Sequence, residues 1–264
     1  MRRSCSKPFN AGITMPTRKT ILITGASSGL GEGMARIFAA MGRNLALCAR
    51  RMDRLETLKA ELENKHPNIR VLIKPLDVND YDQVFAVFDA FRTELSGIDR
   101  VIINAGMGKG QPLGTGYFYA NRQTAETNFV AALAQAEAAM EIFRAQNSGH
   151  LVMISSMSAM RGMKKNLTTY AATKAGVAML AEGLQAELID SPIEVTTIFP
   201  GFIKSEINEK LKNTPFMVDT ETGCKAMVKA IEKEPLNAAV PAWPWGPMGI
   251  AMRHFPLKVV TKMM

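Results

Sequence analysis

Short apolar runs alternate with longer segments of helical periodicity along most of the chain. The apolar runs are bounded by glycine, proline or polar residues and predict β-strands. They lie at residues 20–24, 44–49, 69–73, 99–103, 150–154, 193–199 and 238–242. Between them, apolar positions recur every three or four residues and predict α-helices. These helices lie at residues 29–41, 52–65, 80–95, 120–145 and 168–189.

The order of these elements predicts a single α/β domain. Strands that are apolar along their whole length and alternate with helices form a parallel sheet covered on both faces. We therefore expect one doubly wound, Rossmann-like domain with a mostly parallel sheet of about seven strands, over residues 18–240. Residues 1–17 are expected to be a flexible extension, because they contain no apolar stretch long enough for a signal peptide.

The C-terminal segment, residues 241–264, is apolar but repeatedly interrupted by proline. The prolines are Pro241, Pro244, Pro247 and Pro256. Proline at this density is incompatible with a membrane-spanning helix. Three roles stay open for this segment: a lid over a site, a subunit interface and a peripheral membrane anchor.

The formal net charge of +8 belongs to the two ends of the 264-residue chain. Residues 1–20 and 241–264 contain basic residues and no acidic residue, and the body between them is neutral. A nucleic-acid-binding domain carries its charge on a folded face, so we expect no nucleic-acid partner. The three cysteines are far apart and predict neither a disulfide framework nor a metal site. A reducing, cytoplasmic location is expected.

A glycine-rich turn, Thr-Gly-Ala-Ser-Ser-Gly-Leu-Gly, joins the first predicted strand to the first predicted helix at residues 24–31. Its three glycines permit a tight turn and a close approach of the backbone to a phosphate. The following helix offers free N–H groups, and two serines add hydroxyl groups. These glycines and serines are Gly25, Ser27, Ser28, Gly29 and Gly31. The turn predicts a dinucleotide site, although many glycine clusters are only turns.

Two arginines, Arg50 and Arg51, end the second predicted strand, where an NAD site usually carries an acidic residue. A guanidinium group suits the 2′-phosphate of NADP, so the pair favours NADP over NAD. The alternative is that both arginines begin a solvated helix. After the third strand, Asp77 is expected either to accept a hydrogen bond from the adenine or to cap the helix at 80–95.

Small and amide residues, Asn104-Ala105-Gly106, follow the fourth predicted strand, where a cofactor would cross the edge of the sheet. They could equally form a plain turn. Asn128 lies inside a predicted helix, where asparagine is unfavourable. A buried polar role for Asn128 therefore competes with an ordinary surface position.

Tyr170 and Lys174 lie four residues apart on a predicted helix and therefore share one of its faces. A cation beside a tyrosine lowers the pKa of the phenol, which suits the pair to proton transfer near neutral pH. Chance could also supply this spacing on an ordinary helix surface. Three serines, Ser155, Ser156 and Ser158, follow the fifth predicted strand and compete for the role of a hydrogen-bond donor.

The order of these motifs resembles that of the short-chain dehydrogenases/reductases over residues 18–205. The match includes Thr24-Gly25-xxx-Gly29-x-Gly31, Asn104-Ala105-Gly106, Asn128, Ser156, Tyr170-xxx-Lys174 and Phe199-Pro200-Gly201. The resemblance implies that Tyr170 is the catalytic acid/base and that Lys174 lowers its pKa and holds the nicotinamide ribose. It also implies that Ser156 binds the substrate oxygen and that Asn128 holds a water in a proton relay.

The resemblance further implies which residues contact NADP(H). They are Gly25, Ser27, Ser28, Gly29, Leu30, Gly31, Arg50, Arg51, Asp77, Val78, Asn104, Ala105, Gly106, Tyr170, Lys174, Pro200, Gly201, Ile203 and Ser205. Many family members have threonine where this chain has Ser205, which keeps the hydroxyl. The serine spacing departs from the family's, because Met157 lies thirteen residues before Tyr170. Aligning on Gly162 selects Ser156, with Ser158 as the alternative.

These motifs predict an NADP(H)-dependent oxidoreductase that transfers a hydride between the nicotinamide and a carbonyl or alcohol substrate. Residues 202–218 are expected to form a mobile lid, and Trp243 and Trp245 could add to its walls. The apolar lid residues, which suggest a lipophilic substrate, are Phe202, Ile203, Ile207, Leu211, Phe216 and Met217. The alternatives are an NADP-binding redox sensor with little catalysis and a membrane-surface, lipid-metabolising reductase.

Family members pair through long helices, so the resemblance implies a homodimer or homotetramer built from residues 120–145 and 168–190. Small residues on the first of these helices, Ala131, Ala134 and Ala138, would permit close helix approach. The same residues would also suit a contact inside one subunit.

Overall fold

The computed structural model describes residues 17–108, 110–206, 214 and 216–263, with side chains up to residue 261. The described residues form one sheet of seven strands. The strands are β1 (Thr20–Thr24), β2 (Asn44–Ala49), β3 (Val71–Pro75), β4 (Arg100–Ile103), β5 (Gly149–Ile154), β6 (Ile193–Pro200) and β7 (Asn237–Val240). Each coincides with a predicted strand to within about two residues, as expected for boundary assignments.

All seven strands run parallel, in the order β3-β2-β1-β4-β5-β6-β7. The central strands are fully buried and, apart from polar residues at or near their ends, apolar, which accounts for the near-continuous apolar runs in the sequence. The chain moves outward from β1 to β3 and then returns to place β4 on the other side of β1. Open α/β sheets bind ligands at such a switch point. The prediction of a doubly wound, Rossmann-like fold is confirmed.

Helices cover both faces of the sheet. They are α1 (Gly29–Ala40), α2 (Met52–Lys65), α3 (Tyr81–Glu94), α4 (Phe118–Ala125), α5 (Ala131–Gln146), α6 (Thr168–Glu187), α7 (Thr220–Ile231), α8 (Ala242–His254) and α9 (Leu257–Met263). The single helix expected at 120–145 is instead α4 and α5, separated by a π-helical turn at Glu126–Val130. Such turns interrupt helices locally and are frequent at functional sites.

The two faces of the sheet carry separate apolar cores. On one face, α3, α5 and α6 contribute residues such as Phe88, Phe143 and Val177. On the other, α1, α2 and α7 contribute residues such as Phe38, Leu58 and Met227. The alanines Ala131 and Ala138 of α5 are buried in the first core within a single chain. The internal contact that the sequence left open therefore accounts for these two alanines.

The C-terminal segment is helical and packs beside β6 and β7. Trp245, Met252 and Val260 join Phe199 and Met157 in a third apolar cluster. Pro241 lies before α8 and Pro244 in its first turn, where a missing N–H costs little, whereas Pro247 lies inside α8 and Pro256 between α8 and α9. Within the described part of the chain, no helix is both long and apolar enough to cross a membrane.

Buried charges are paired at the amino edge of the sheet. Glu234 accepts hydrogen bonds from Nε and Nη2 of Arg18, at 2.8 and 2.9 Å. It also accepts one from Nη2 of Arg100 at 2.9 Å, while Nη1 of Arg100 pairs with Glu232. The carboxylates offset the cost of removing two guanidinium groups from water.

His150 extends this amino-edge network. Nε of Arg100 donates to Nδ1 of His150 at 2.7 Å, so this ring nitrogen carries no proton. The other ring nitrogen lies 2.9 Å from Oγ1 of Thr196, whose hydroxyl donates to the carbonyl of Pro235. Burial and the charges of Arg100 and Arg18 lower the pKa of His150 well below its ordinary value. The imidazole is therefore held neutral.

Candidate active site

A cavity of about 410 Å³ lies at the carboxyl edge of the sheet, across the switch point between β1 and β4. Its walls come from the loops that follow β1 to β6. All of the predicted cofactor residues line it except Gly31. Three of the four predicted catalytic residues, Ser156, Tyr170 and Lys174, line it as well, whereas Asn128 lies outside its lining.

The glycine-rich turn is packed too closely for larger residues. Gly25 has a φ of +66°, and a Cβ there would lie 2.9 Å from the Cα of Ala105. A Cβ on Gly31 would lie 2.5 Å from the carbonyl oxygen of Gly25. The turn therefore fits against the loop after β4. It presents the first residues of α1 to the cavity, where their backbone N–H groups have no partners within the helix.

Arg51 lies along this turn and takes part in an anion site. Its Nε and Nη2 donate to the hydroxyls of Ser27 and Ser28, at 3.2 and 2.6 Å. Its Nη1 pairs at 3.2 Å with Glu206, which also pairs with Nη1 of Arg54 at 2.6 Å. The hydrogen bond from Arg54, with further bonds from Ser28 and Arg51, lowers the pKa of Glu206. Two guanidinium groups thus hold one carboxylate of the same chain.

Arg50 and Asp77 line the cavity in different surroundings. Arg50 is exposed at the end of β2, two residues before α2 begins. Oδ1 of Asp77 accepts hydrogen bonds from the backbone and side-chain nitrogens of Asn79, both at 3.1 Å. Helix α3 is capped by Asp80, which accepts from the N–H of Gln83. Asp77 is therefore not the helix cap.

Asn104 joins the loop after β4 to the loop after β1. Its Nδ2 donates to the carbonyl of Thr24 at 3.0 Å. Oγ1 of Thr24 in turn accepts from the N–H groups of Asn104 and Ala105, both at 3.1 Å. The side chain of Asn104 thus acts as a clamp between two cavity walls.

Asn128 lies in the π-helical turn and is buried. Its Oδ1 accepts from the N–H of Met107 at 2.7 Å, and its Nδ2 donates to the carbonyl of Met107 at 2.9 Å. Nδ2 also lies 3.4 Å from Oγ1 of Thr173. The amide therefore fixes the loop after β4, and a role for Asn128 in a proton relay stays a prediction.

The three competing serines occupy different positions. Ser155 donates to the backbone carbonyl of Lys174 at 2.8 Å and thereby braces α6. Ser156 accepts at Oγ from the backbone and hydroxyl groups of Ser158, at 3.2 and 2.9 Å. A hydrogen bond with Ser156 also lowers the pKa of the Tyr170 phenol, because it favours the phenolate. The structure thus brings Ser156 to the tyrosine.

Tyr170 and Lys174 lie on α6 and both face the cavity. Nζ of Lys174 donates to the carbonyl of Ile154 at 2.8 Å, and burial lowers the pKa of Lys174 to about 8. Burial raises the pKa of Tyr170, and the hydrogen bond with Ser156 opposes that rise. The sequence predicted a lowered pKa for this phenol. The structure differs because desolvation of the phenol dominates, while the lysine ammonium is bonded to Ile154.

Aromatic side chains lie behind Gly201, a residue of the cavity lining after β6. The indole of Trp245 lies against Gly201, where any side chain would collide with the ring. The ring of Phe202 meets Trp245 edge-on, with centroids 5.5 Å apart, and Phe216 does so at 6.3 Å. Trp243, which was also expected in this wall, is exposed instead. Helix α8 thus supports the Gly201-Phe202 loop through Trp245.

The predicted lid at 202–218 is described at its two ends. The N–H of Lys204 donates to the carbonyl of Val218 at 2.9 Å, and the N–H of Val218 donates to that of Phe202 at 3.0 Å. The ends therefore lie side by side at the rim of the cavity. The lid residues Ile207 and Leu211 lie outside the described residues.

Sequence reasoning missed two residues that shape the cavity. Thr24 belongs to the quoted glycine motif, and its hydroxyl could have been singled out from its position at the end of β1. Glu206 gave no local signal, because its partners Arg51 and Arg54 lie more than 150 residues earlier. Contacts of that sequence separation become visible only once the chain is folded.

Comparisons with known proteins agree with the fold and with the order of the motifs. The family described as short chain dehydrogenase matches residues 19–215. An uncharacterised oxidoreductase of Mycobacterium tuberculosis is 56% identical over 250 residues, which cover 95% of this chain and 99% of the relative. An NADP-dependent 3-hydroxy acid dehydrogenase of Schizosaccharomyces pombe is 32% identical over 192 residues, or 72% of this chain and 73% of that protein.

The solved structures agree with this result. The crystal structure of levodione reductase superposes with a TM-score of 0.76 at 26% identity, covering 84% of this chain and 94% of the other. The family match itself spans β1 to β6, and with them the glycine-rich turn, Ser156, Tyr170 and Lys174. On these grounds the chain belongs to the short-chain dehydrogenase family, whose members are oxidoreductases that use a nicotinamide cofactor.

Proposed function

We propose that this protein is an NADP(H)-dependent oxidoreductase that transfers a hydride between the nicotinamide and a carbonyl or alcohol substrate. One observation carries the proposal: Ser156, Tyr170 and Lys174 line the same cavity as the glycine-rich turn. Reduction of a carbonyl needs a hydride at carbon and a proton at oxygen, so the cofactor site and the proton donor must adjoin.

The residues of the cavity fit a nicotinamide dinucleotide. Its volume of about 410 Å³ is in the range of small-ligand sites. The backbone at Gly25–Leu30 would hold the pyrophosphate with N–H groups at the start of α1. Gly106 leaves room beside Asn128 and Lys174, since a Cβ there would lie 3.2 Å from Oδ1 of Asn128 and 3.6 Å from Nζ of Lys174. When bound, the cofactor supplies the hydride in reduction or accepts it in oxidation.

The preference for NADP is supported by the anion site beside the turn. Arg51 and Arg54 already hold the carboxylate of Glu206, at 3.2 and 2.6 Å, and Arg50 is exposed nearby. Guanidinium groups that bind a carboxylate are equally suited to a 2′-phosphate. The fission-yeast relative is described as NADP-dependent, which agrees with this assignment. In our proposal, the 2′-phosphate replaces the carboxylate of Glu206 on these arginines.

Ser156 and Tyr170 are proposed to bind the substrate oxygen together. Ser158 donates two hydrogen bonds to Oγ of Ser156, so the single proton of that hydroxyl can be donated to Tyr170 or to the substrate. In reduction, Tyr170 gives its proton to the oxygen as negative charge develops there, and Ser156 stabilises that charge. The raised pKa of Tyr170 keeps the phenol in its acid form at neutral pH.

Lys174 is proposed to return a proton to Tyr170 after each turnover. Its pKa of about 8 allows it to gain or lose a proton near neutral pH. Its positive charge also favours the phenolate that oxidation of an alcohol requires. Asn128 acts on this centre by fixing Met107 in the loop beside Gly106.

A lipophilic substrate is supported by the aromatic cluster beside the cavity. Phe202 and Phe216 each pack against Trp245, which lies behind Gly201 in the cavity lining. Apolar and aromatic surfaces bind apolar ligand groups by removing them from water. We therefore expect catalytic efficiency to increase with the apolar area of the carbonyl substrate.

A screen of aldehydes and ketones of increasing chain length tests the proposed function. The consumption of NADPH and of NADH is followed by absorbance for each compound. We expect turnover with NADPH, weaker turnover with NADH, and a rise of kcat/KM with chain length. Tight NADPH binding without turnover of any compound would contradict the proposal and favour the redox-sensing alternative.

A further inference from the structure

The outward surface of α8 and α9 has an unusual composition. From residue 242 to 259, every exposed side chain is either apolar or basic. The exposed residues are Ala242, Trp243, Pro247, Ile250, Arg253, His254, Phe255, Pro256, Leu257, Lys258 and Val259. We call these residues the C-terminal face. Several large apolar side chains lie well in the open, with Trp243 78% exposed and Ile250 66% exposed.

The inward side of α8 is also apolar. Trp245, Gly249 and Met252 are buried against the body of the protein. Large apolar side chains that lie together on an exposed surface often mark an interaction site. The body of the protein covers only one side of α8. The exposed apolar side chains of the C-terminal face therefore indicate that a second apolar environment covers the other side.

The positive charge of the C-terminal face indicates which kind of partner could cover it. Arg253, His254 and Lys258 lie among the apolar residues, and residues 241–264 contain no acidic residue. The basic excess of the chain is therefore found partly on this face, while the body is neutral. A partner with a negatively charged surface and an apolar interior complements the C-terminal face. A second copy of the same face does not, because an isologous contact would bring Arg253 and Lys258 of both copies into one interface, and neither copy of the face offers an acidic residue.

We propose that the C-terminal face docks the protein onto an anionic lipid bilayer. Trp243 and Phe255 would enter the boundary between headgroups and acyl chains, where aromatic side chains are favoured. Ile250 and Leu257 would lie below the headgroups, and Arg253 and Lys258 would contact the lipid phosphates. Docking is peripheral and reversible, because the face is short and no helix among the described residues is long and apolar enough to span the bilayer. The proposal does not depend on the catalytic one.

Co-sedimentation with lipid vesicles tests the proposal. The full chain is mixed with vesicles of phosphatidylcholine alone or of phosphatidylcholine with phosphatidylglycerol. We expect a several-fold larger bound fraction on the anionic vesicles, and we expect salt to reduce it because ions screen the attraction. Failure to bind anionic vesicles at low salt would overturn the proposal.

A matched pair of variants tests whether this face is responsible. Ile250→Glu places a charge at the centre of the C-terminal face and should reduce the bound fraction several-fold. Ile189→Glu is the control, because Ile189 is similarly exposed, at 74%, but lies beyond the end of α6. Equal losses from the two variants would overturn the proposal. So would loss of an oligomer in Ile250→Glu, seen by sedimentation velocity, together with unchanged vesicle binding.

The two tryptophans of the chain provide a second readout. Trp245 is 1% exposed and Trp243 is 78% exposed, so a change of solvent affects the emission of Trp243. Anionic vesicles should shift tryptophan emission to shorter wavelength and protect it from acrylamide quenching. The shift should disappear in Trp243→Ala. Vesicle binding without any change in emission would overturn the proposed orientation of the face.

Discussion

At the amino edge of the sheet, Arg100 is buried together with Glu234 at 2.9 Å, and Arg18 shares the same carboxylate. At the carboxyl edge, Lys174 is buried with its ammonium group on a backbone carbonyl, that of Ile154. Among the residues that the structure describes, no carboxylate pairs with this lysine. Both edges therefore bury cations, but only the amino edge supplies their counter-charges.

The two edges of the sheet therefore have different roles, one in stabilising the fold and the other in proton transfer. At the amino edge the buried charges are paired, and His150 is fixed as a neutral group between Arg100 and Thr196. The unpaired ammonium of Lys174 has a pKa of about 8, close to the pH at which proton transfer is useful. We infer that the amino edge stabilises the fold, while the carboxyl edge gives up stability to keep a titratable group.

The largest change in stability is expected from Glu234→Gln. The neutral amide deprives Arg18 and Arg100 of a buried counter-charge, which should lower the free energy of unfolding by about 3–5 kcal/mol. Urea denaturation at neutral pH measures the loss, and kcat of the folded protein should not change. Glu187→Gln is the matched control, because its pair with Arg144 is exposed and should contribute less than about 1 kcal/mol. Equal losses of unfolding free energy in Glu234→Gln and Glu187→Gln would contradict the stabilising role of the buried amino-edge charges.

Lys174→Met should instead stabilise the protein at neutral pH while lowering kcat. A pKa lowered from 10.5 to about 8 means that the buried charge costs roughly 3 kcal/mol. Methionine removes that cost and loses the bond to Ile154, so we expect a net gain of about 2 kcal/mol. Urea denaturation measures it, with Lys225→Met, an exposed lysine, as the control.

The pH dependence of this gain is a stricter check. Between pH 8 and 10.5, the unfolded chain binds the lysine proton more tightly than the folded one. The stability of the wild type therefore rises with pH in this window, and the advantage of Lys174→Met should shrink. If Lys174→Met is less stable than the wild type at neutral pH, the buried Lys174 does not lower the stability of the fold.

Acid should weaken the amino edge through His150. Its folded pKa lies well below the ordinary value of 6.5, so the unfolded chain binds more protons as the pH falls below 6.5. Stability should then decrease by up to about 1.4 kcal/mol per pH unit until the folded pKa is reached. In His150→Gln, whose amide can still bond Arg100 and Thr196, this decrease should be smaller. Melting temperatures between pH 7 and pH 5 measure it.

The exposed His254 supplies the control for this experiment. His254→Gln removes a histidine without touching the amino-edge network, so it should keep the wild-type acid dependence. If His150→Gln and His254→Gln lose stability with acid equally, the buried imidazole is not the cause.

The smallest expected effect concerns Glu206 at the rim of the cavity. In Glu206→Gln, Arg51 and Arg54 lose their competing carboxylate, so NADP⁺ should bind more tightly. The pairs are about half exposed, which limits the gain to about fivefold in Kd. Titration calorimetry with NADP⁺ and NAD⁺ measures it, with Glu56→Gln as the control. An equal gain for NAD⁺ would show that the arginines do not read the 2′-phosphate.

Much of the fold could be predicted because its signals are local. The run Thr20–Thr24, the glycine-rich turn and α1 follow one another in sequence, and each has its own pattern. The π-helical turn at Glu126–Val130 was not predictable, because residues 120–145 have continuous helical periodicity. The interruption instead accompanies the bonds of Asn128 to Met107, a tertiary contact.

In the site, too, features that depend on local sequence could be predicted, and features that depend on distant segments could not. Spacing on one helix predicted that Tyr170 and Lys174 share a face, and both line the cavity. It could not predict the pKa of Tyr170, which depends on burial by other segments. The amino-edge network was equally invisible, since Arg18, Arg100 and Glu234 lie on distant parts of the chain and meet only in the folded sheet.

The most direct test of a catalytic carboxyl edge is the single-turnover rate of Tyr170→Phe at saturating NADPH with the best carbonyl substrate. Removing one hydroxyl should leave NADPH affinity nearly unchanged and should alter the free energy of unfolding by only about 1 kcal/mol, the contribution of one hydrogen bond. The rate of NADPH oxidation should fall by about 100- to 10,000-fold, the usual contribution of a general acid. Tyr119→Phe, at an exposed tyrosine, should retain the full rate. A rate for Tyr170→Phe close to that of the wild type would contradict the account.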